Sequence, residues 1–352
     1  MMESSAAEKE QWIENDFAKA VAFQKQGEFD EAEKLYKKII LRQPEHLNAK
    51  LNYVILAINT ENYVLGKHLC KMILKSGFID ENILVNYSIC LIKLDEAAEA
   101  ESILSEVLAV NPDNHAANGL LARVQLPGID YLEYLALFHQ WLKPKTYLEV
   151  GVDEGISLKR VNSDTQVIGI DPEPQIKSVL PNNIRIFAAK SDDFFNDNNV
   201  SDLFGGKSID LAFIDGLHRF DEALKDFINI EKYSDEKTVV LVHDCIPLNK
   251  ATSTRERSTK FWSGDVWKLV LVLKKYRPDL QVFTIPASPT GLSVITNLDK
   301  TSNILKQELD CIFNDYLSVE YEQISASKKE SLGIIEHGWD SVKEKLSTNN
   351  AV

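Results

Sequence analysis

The sequence predicts an all-α repeat region followed by an α/β domain with a mostly parallel sheet. Two observations carry this prediction. Residues of similar size recur every 34 positions in the first third of the chain, and four apolar runs between residues 147 and 244 each end at or next to an acidic residue. At 352 residues with 44% hydrophobic content, the chain is long enough to form two separate cores.

The repeat is visible in three sets of equivalent positions. Small, large and aliphatic residues recur at Ala32, Gly66 and Ala100, at Tyr36, Cys70 and Leu104, and at Ile39, Ile73 and Val107. Small residues let two helices approach closely, and larger ones fill the groove between neighbouring helices. The pattern resembles the tetratricopeptide repeat (TPR), which packs two antiparallel helices in each unit. We therefore expect three repeats, at residues 13–46, 47–80 and 81–114.

The resemblance to TPR proteins implies a superhelix that binds a protein partner or mediates self-association. The alternative is that the repeats only brace the domain that follows. Residues 115–142 carry apolar and aromatic side chains near helical spacing, which predicts a helical cap that leads into the sheet. The aromatic residues of this cap are expected in the core rather than in a binding site.

The α/β domain is predicted at residues 143–298, and its first strand leads into a glycine turn. The first apolar run closes on Glu149 and Gly151, with Gly155 beyond, and Asp171 ends the second run. A glycine turn lets a ligand approach the backbone, and an acid after the second strand can accept both hydroxyls of a ribose. These residues together predict a nucleotide-type site.

The residues inside the glycine turn favour a cationic ligand. Asp153 and Glu154 lie between the two glycines, whereas a loop that binds pyrophosphate carries uncharged residues there. S-adenosylmethionine has a positive sulfonium and an amino group that Glu149 can meet, so it is the expected cofactor. NAD is the alternative, and it would imply another class of enzyme, such as a dehydrogenase.

The third and fourth apolar runs supply candidate catalytic groups. Asp215 ends the third run, His218 follows three residues later, and His243 and Asp244 end the fourth. Carboxyl ends of parallel strands open on one edge of a sheet, so these side chains should converge on the cofactor site. Asp215, His243 and Asp244 are candidate ligands of Mg²⁺, with His218 as the general base beside it. The structural alternative is that the acids cap helices and the histidines bond to backbone.

Taken together, these motifs resemble the class I S-adenosylmethionine-dependent methyltransferases of the small-molecule and sugar-modifying type. The matching motifs are E-V-G-x-x-x-G at residues 149–155, I-G-I-D-P at 168–172, F-I-D-G-x-H at 213–218 and H-D at 243–244. Residues 263–268 also look like the start of the helix after the fifth strand in that family. The resemblance implies a Rossmann-like, mostly parallel seven-stranded sheet, followed here by C-terminal helices at residues 299–347.

The same resemblance implies a role for each matched residue. Glu149, Gly151 and Gly155 would line the methionine part of the cofactor, Asp171 would hold the ribose, and Ser191 or Asp192 would flank the adenine. In metal-dependent relatives the acid matching Asp215 and the pair matching His243 and Asp244 hold Mg²⁺. The residue matching His218 takes the substrate proton. Those relatives tend to carry an acid where this chain has His243.

Composition limits the expected partners. The formal net charge of −14 argues against nonspecific binding of DNA or RNA, because neutralising phosphates requires a basic surface. The sequence shows no apolar run of about 18 residues and no apolar N-terminal segment typical of a signal peptide. We therefore expect no nucleic-acid partner, no membrane association and a cytoplasmic location.

The expected activity is metal-assisted O-methylation of a small hydroxylated substrate, such as a sugar or polysaccharide precursor. Arg255 and Arg257 lie in a polar segment after the fourth run and are candidates to bind an acidic part of a substrate, such as a nucleotide sugar. A solvated loop is the alternative. A second function is also open: a TPR-based interaction scaffold with a catalytically inactive methyltransferase-like domain.

Overall fold

The computed structural model describes the backbone of residues 6–347 and the side chains from residue 10 onward. The chain divides into two compact units, with the boundary between Val124 and Gln125. This boundary falls inside the predicted helical cap at residues 115–142. In the described residues the first unit is helical and the second contains the sheet. The predicted order of an all-α repeat region and an α/β domain is therefore confirmed.

The first unit is built from paired helices. Their bounds are α1 (Ala6–Gln26), α2 (Phe29–Arg42), α3 (Leu47–Asn59), α4 (Tyr63–Lys75), α5 (Glu81–Lys93), α6 (Ala97–Val110) and α7 (His115–Gln125). Helix α1 packs on α2, α3 on α4, and α5 on α6. The residues that recur at the 34-residue period, from Ala32 to Val107, are all buried. The packing expected of TPR units is thus present.

Local sequence signals explain where these helices begin and end. The side chains of Asn62 and Asp80 accept hydrogen bonds from backbone N–H groups three residues on, which caps the starts of α4 and α5. Gly27, Glu61 and Asp95 have φ values between 59° and 80°, and this left-handed conformation ends α1, α3 and α5. Each pair of helices is therefore separated by a short, well-defined turn.

The second unit contains a seven-stranded sheet, as predicted. Its strands are β1 (Thr146–Val150), β2 (Gln166–Asp171), β3 (Ile184–Ala188), β4 (Leu211–Ile214), β5 (Val239–His243), β6 (Gln281–Ile285) and β7 (Leu292–Thr296). The spatial order is β3-β2-β1-β4-β5-β7-β6. Strands β1 to β5 run parallel, and β7 is antiparallel to both β5 and β6.

Helices cover both faces of the sheet. They are α8 (Tyr131–Leu142), α9 (Ser191–Asp197), α10 (Val200–Leu203), α11 (Phe220–Glu231), α12 (Lys268–Tyr276), α13 (Ile304–Gln307), α14 (Leu309–Tyr316), α15 (Lys328–Ser331) and α16 (Trp339–Ser347). Alternate residues of β1 serve opposite faces: Leu148 packs in the cluster with α11 and α12, and Tyr147 in the cluster with α8 and α16. None of the helices between residues 6 and 347 combines the length and apolar character that a membrane span requires.

The strand register brings the candidate site residues to one edge of the sheet. Val150 of β1 pairs with Ile170 of β2 and with Ile214 of β4, and Ile214 pairs with Val242 of β5. The residue after each of these positions therefore lies at the same height along the sheet. In chain order these next residues are Gly151, Asp171, Asp215 and His243, all of them predicted site residues.

Candidate functional site

A cavity of about 750 Å³ opens at the carboxyl ends of the parallel strands. Its wall contains seven carboxylates, from Asp153, Glu154, Asp171, Asp192, Asp215, Glu222 and Asp226. One lysine, Lys190, and the imidazoles of His218 and His243 also line it. Such an excess of acidic groups favours a positively charged ligand over an anionic one.

Most of the predicted site residues lie in this wall. They are Gly151, Asp171, Ser191, Asp192, Asp215, His218 and His243. The wall does not include Glu149, Gly155 or Asp244. Glu149 is fully buried, and Asp244 is 3% exposed beneath the wall. The structure therefore brings seven of the ten predicted site residues to one cavity, while the side chains of Glu149 and Asp244 are buried outside its lining.

Gly151 lies where no other residue fits. Its φ is +88°, and a Cβ atom there would lie 2.0 Å from the backbone oxygen of Asp215. Behind it, Asp171 Oδ2 accepts hydrogen bonds from the backbone N–H groups of Val152 and Asp153, both at 2.9 Å. The turn after β1 thus lies against the backbone at the end of β4 and is hydrogen-bonded to the residue that ends β2.

Asp171 has less free hydrogen-bonding capacity than the sequence suggests. Its Oδ1 accepts a third backbone hydrogen bond, from Glu173 at 2.8 Å. A carboxylate offers about four acceptor positions, so roughly one remains for a ligand. In this conformation Asp171 can accept one ribose hydroxyl, whereas the sequence predicts that it accepts both.

Glu149 supports the turn from inside the core. Its Oε2 accepts a hydrogen bond from the Tyr147 hydroxyl at 2.7 Å, and its Oε1 accepts one from the Ser157 hydroxyl. Burial raises the pKa of Glu149 to about 8, because a low-dielectric environment opposes the charged form. Ser157 lines the cavity, so Glu149 reaches the site through that hydroxyl.

His243 is held in place through both ring nitrogens. Its Nδ1 lies 3.0 Å from Asp215 Oδ1, and its Nε2 lies 3.2 Å from the Thr290 hydroxyl. The ring of Tyr131 stacks on it with centroids 3.8 Å apart. His243 cannot bind a metal ion without giving up one of these bonds, which differs from its predicted role as a ligand.

His218 presents one nitrogen to the cavity. Its Nδ1 lies 3.0 Å from Asp244 Oδ2 and 3.0 Å from the backbone oxygen of Trp262, whose ring stacks on the imidazole. Its Nε2 lies 3.8 Å from Asp215 Oδ1. Because Nδ1 faces two acceptors, it carries a proton, and Nε2 is the atom left to exchange a proton or bind a cation.

The charges around His218 favour a positive charge at this place. Burial alone lowers the pKa of His218, but the carboxylates of Asp244 and Asp215 outweigh that effect and raise it to about 9. Burial likewise opposes ionisation of Asp244, yet His243 and His218 keep its pKa below the ordinary value. The positive charge can reside on the imidazole or on a bound cation.

A candidate metal centre differs from the predicted one by one residue. Asp215, His218 and Asp244 each offer an atom within 4.8 Å of the others. Two carboxylates and an imidazole suit a divalent cation of the Mg²⁺ or Mn²⁺ type. The backbone of Asp244 has φ +60°, a left-handed conformation that ends β5 and accompanies the approach of its carboxylate to His218. In this group of candidate ligands, His218 takes the place that the sequence predicts for His243.

Three residues of the site are not identified from the sequence. Tyr131 is expected in the core of the helical cap, but it lines the cavity and stacks on His243. Trp262 covers His218 from a long loop. Asp226 lies in α11 at a buried position of the helix face that packs on the sheet. An acid within an apolar helix stripe is a readable signal, whereas nothing local distinguishes Tyr131 from its core neighbours.

The polar segment after β5 does not offer free guanidinium groups. Arg255 forms a two-point ion pair with Asp221, at 2.6 Å and 3.0 Å. Arg257 donates hydrogen bonds to the backbone oxygens of Thr259 and Lys260. Both side chains therefore help to fold the loop, and these contacts give no support to the hypothesis that they bind a phosphorylated substrate.

Comparison with known families agrees with this geometry. Residues 148–245 match a family described as a methyltransferase domain. The second unit contains a methyltransferase domain. The matched segment runs from β1 to the residue after Asp244 and so includes Asp171, Asp215 and His218. No curated protein matches the chain.

Solved structures resemble each unit separately. An O-methyltransferase from Bacillus cereus in complex with SAH aligns with 56% of this chain and 97% of its own length, at 13% identity and a TM-score of 0.38. YrrB, a TPR protein with an unusual peptide-binding site, aligns with 36% of this chain at 16% identity and a TM-score of 0.29. MamA MSR-1 C2 aligns with 32% at 17% identity and a TM-score of 0.30. The chain spans 62% and 64% of the lengths of these two helical proteins.

Proposed function

We propose that the second unit binds S-adenosylmethionine and transfers its methyl group to an oxygen of a small hydroxylated acceptor. The observation that carries the proposal is one cavity that holds the glycine turn and Asp171 beside Asp215 and His218. The cofactor would supply an electrophilic methyl group on a sulfonium. Seven carboxylates in the wall suit that positive charge, and they disfavour NAD, whose pyrophosphate is anionic.

The cofactor would lie along the carboxyl ends of β1, β2 and β3. The backbone at Gly151 allows close approach, and Asp171 has acceptor capacity for one ribose hydroxyl. Ser191 and Asp192 at the start of α9 would flank the adenine. Glu149 would support the methionine end indirectly, by orienting Ser157.

His218 is the proposed general base. Its ring orientation is set by Asp244, by the backbone oxygen of Trp262 and by stacking, so that Nε2 faces the cavity near Asp215. The acceptor hydroxyl would give its proton to Nε2 of the neutral imidazole as the new O–C bond forms and the S–C bond breaks, leaving S-adenosylhomocysteine. Because the pKa of His218 is raised to about 9, this neutral form requires alkaline pH or a bound cation that takes the place of the imidazolium charge. Holding the reacting groups in line is the protein's main contribution to such a displacement.

A divalent cation such as Mg²⁺ is the second part of the proposal. Asp215 and Asp244 would hold it, and it would lower the proton affinity of the acceptor hydroxyl. His243 would orient Asp215 through their 3.0 Å contact. Nε2 of His218 cannot bind the cation and accept the proton at the same time. If His218 is a ligand, the proton must leave by another route.

The acceptor is proposed to be a neutral polyhydroxy compound, such as a sugar or polysaccharide precursor. The acidic wall and the internal pairing of Arg255 and Arg257 disfavour a nucleotide sugar, whose phosphates would meet carboxylates. A panel of neutral and phosphorylated sugars, with tritium transfer from labelled cofactor as the readout, separates the two classes. Transfer only to phosphorylated members would overturn this preference.

Calorimetry tests the cofactor assignment. S-adenosylmethionine, S-adenosylhomocysteine and NAD would each be titrated with and without Mg²⁺, on the natural chain, on Asp192→Ala and on Asp193→Ala. The two acids are neighbours in α9, but Asp192 lines the cavity and Asp193 does not. We expect binding of the two adenosyl ligands, weakened severalfold only in Asp192→Ala.

Other results would change the assignment. Binding of NAD without binding of the adenosyl ligands would replace the proposal with a dehydrogenase. Cofactor binding without transfer to any acceptor would favour an interaction scaffold that has lost turnover. For that scaffold role the first unit offers a hollow of about 200 Å³ lined by Phe29, Leu65, Asp30 and Glu33.

We also propose that the first unit binds a protein partner or a second copy of the chain. Besides the hollow, that unit exposes apolar side chains such as Val64 and Ile79. Sedimentation of the full chain over a wide concentration range decides between the two occupants. A concentration-dependent dimer supports self-association, and a monomer throughout leaves the partner protein.

A further inference from the structure

Arg255 forms an ion pair that has no role in the proposed reaction so far. Its guanidinium donates two hydrogen bonds to the carboxylate of Asp221, at 2.6 Å and 3.0 Å, and the two side chains are 30% and 16% exposed. A two-point pair of this kind fixes both groups in one geometry. Glu256 forms a second two-point pair with Arg219, but at 77% exposure that carboxylate contributes little. Residue 255 is therefore held against the first turn of α11, three residues after His218.

Trp262 connects this ion pair to the proposed base. Its indole Nε1 donates a hydrogen bond to the backbone oxygen of Thr254, the residue before Arg255, at 2.7 Å. Its own backbone oxygen lies 3.0 Å from His218 Nδ1, and its ring stacks on the imidazole with centroids 5.4 Å apart and planes 20° apart. The position of the indole therefore depends on residues 254 and 255, and the orientation of the imidazole depends on the indole.

The backbone of His218 is fixed by the residues that follow Trp262. Gly264 has φ +63°, and a Cβ atom there would lie 1.7 Å from the backbone oxygen of His218. The backbone N–H of Asp265 donates to the same oxygen at 3.3 Å, and Oδ1 of Asp265 accepts a hydrogen bond from the N–H of Phe220 at 2.8 Å. Only the rotation of the imidazole about its side-chain bonds is left to vary, and the indole of Trp262 lies against one face of that ring.

We propose that Arg255 is a positioning residue for the methyl transfer: paired with Asp221, it holds Trp262 against the imidazole of His218 and keeps Nε2 directed into the cavity. The inference rests on the proposed function, and it extends the reaction's machinery to a side chain that does not line the cavity. Without the pair, residues 254 and 255 and the indole can move away from the imidazole. A displacement of about 1 Å between reacting groups can lower a rate by about 10²-fold.

Two other roles of Arg255 would give different results. If Arg255 binds an acidic part of the acceptor, its removal should raise the KM of the acceptor, and removal of Asp221 should leave it free to bind more tightly. If the ion pair only stabilises the loop, its removal should lower the melting temperature and leave the imidazole of His218 where it is. The three roles therefore differ in kcat, in KM and in the surroundings of the imidazole.

The kinetic test compares Arg255→Ala and Asp221→Ala with the natural chain. The acceptor is the member of the sugar panel that the natural chain methylates fastest, with tritium transfer as the readout. Because both variants break the same pair, each should lower kcat by about 10–100-fold and keep the KM of the acceptor within about twofold. When Arg255→Ala is added to His218→Ala, the rate should fall by less than about twofold further, because the group that Arg255 positions is gone.

Nuclear magnetic resonance tests the position of the imidazole without any turnover. In a chain whose seven histidines carry ¹³C, His218→Ala identifies the ring signals of His218. The ring current of the stacked indole displaces those signals, and Trp262→Leu gives their position without the indole. In Arg255→Ala we expect them to move toward that position. Lys250→Ala is the matched control and should leave them unchanged, because Lys250 is an exposed cation of the same loop that pairs with Glu322 at 2.8 Å.

The outcomes separate this inference from the proposed function. Thermal unfolding checks the fold of each variant, and if Arg255→Ala does not fold, Arg255→Lys replaces it, because lysine keeps the charge but not the two-point geometry. Unchanged His218 signals in the Arg255 variant, or a raised KM with natural kcat, would overturn the inference and leave the cofactor assignment intact. If the natural chain transfers methyl to no acceptor, the proposed function fails, and the resonance comparison still decides whether Arg255 positions the imidazole.

Discussion

At the scale of single residues, the chemistry of the site depends on which polar atoms have no hydrogen-bond partner within the protein and can therefore contact a ligand. His243 uses both ring nitrogens inside the protein, whereas His218 uses Nδ1 and leaves Nε2 facing the cavity. Glu149 and Asp171 are similarly committed to Ser157 and to the backbone of the turn. Fewer polar atoms can therefore contact a ligand than the number of polar residues around the cavity would indicate.

The first prediction concerns the proposed base. Replacing His218 with Ala should lower the rate of methyl transfer by about 10²–10⁴-fold, the usual contribution of a positioned acid or base. The Kd of S-adenosylhomocysteine should change little, because the assigned cofactor contacts lie elsewhere in the wall. Single-turnover transfer and calorimetry measure the two effects. His337→Ala, at an exposed position, serves as the control. Full turnover of His218→Ala would rule out the base.

The second prediction concerns stability and pH. The folded-state pKa of Glu149 is raised to about 8, above the ordinary value of 4.5. Its contribution to stability is therefore fully present below about pH 4.5 and is lost as the pH rises through 8. Glu149→Gln cannot ionise, so between pH 5 and pH 8 its free energy of unfolding should fall less than that of the natural chain, by roughly 2–4 kcal/mol. Urea unfolding at both pH values measures this, and parallel pH profiles would contradict it.

At the scale of elements, the turn after β1 is the most constrained part of the site. Gly151 has a positive φ and touches the backbone at Asp215, so it couples the end of β1 to the end of β4. The sequence signals this turn by its two glycines. It does not show the close approach to β4, because that contact joins residues 64 positions apart.

The third prediction separates the cost of a positive φ from the cost of a clash with neighbouring backbone. Gly206 has φ +86° and nothing within 4 Å of its Cβ position, so Gly206→Ala bears only the cost of conformation, about 1 kcal/mol. Gly151→Ala adds a clash with backbone and should lower the free energy of unfolding by about 3 kcal/mol or more. It should also abolish binding of S-adenosylhomocysteine. Chemical denaturation and calorimetry check both variants. If both lose the same free energy of unfolding, there is no steric clash at residue 151 and the prediction is wrong.

The strands of the sheet are predictable from the sequence to a greater extent than the side-chain contacts between them. Four of the five parallel strands lie in apolar runs that end at polar residues, and this pattern predicts the edge where Asp171 and Asp215 meet. The exchange between His243 and His218 in the candidate metal centre is not predictable in this way. It depends on Thr290, which approaches His243 from a loop 47 residues later. Long-range side-chain partners of this kind leave no local pattern.

At the scale of the whole molecule, the chain joins two units with separate cores and different signals. The repeat unit is predicted from periodicity, because every unit must bury equivalent residues against its neighbours. The methyltransferase domain is predicted from motifs at strand ends. The boundary at residues 124 and 125 lies within the helical segment at 115–142 that sequence patterns assign to neither.

The last prediction is that the second unit is sufficient for cofactor binding. Every residue that lines the cavity lies between Tyr131 and His243, and the two core clusters of the sheet begin at Ile129. A chain of residues 125–352 should therefore unfold cooperatively and bind S-adenosylhomocysteine within about threefold of the full-length Kd. Residues 1–124 alone should fold without binding it. If the shorter chain folds but loses the cofactor, the repeats contribute to the site itself, and a role limited to partner binding or self-association would no longer explain their presence.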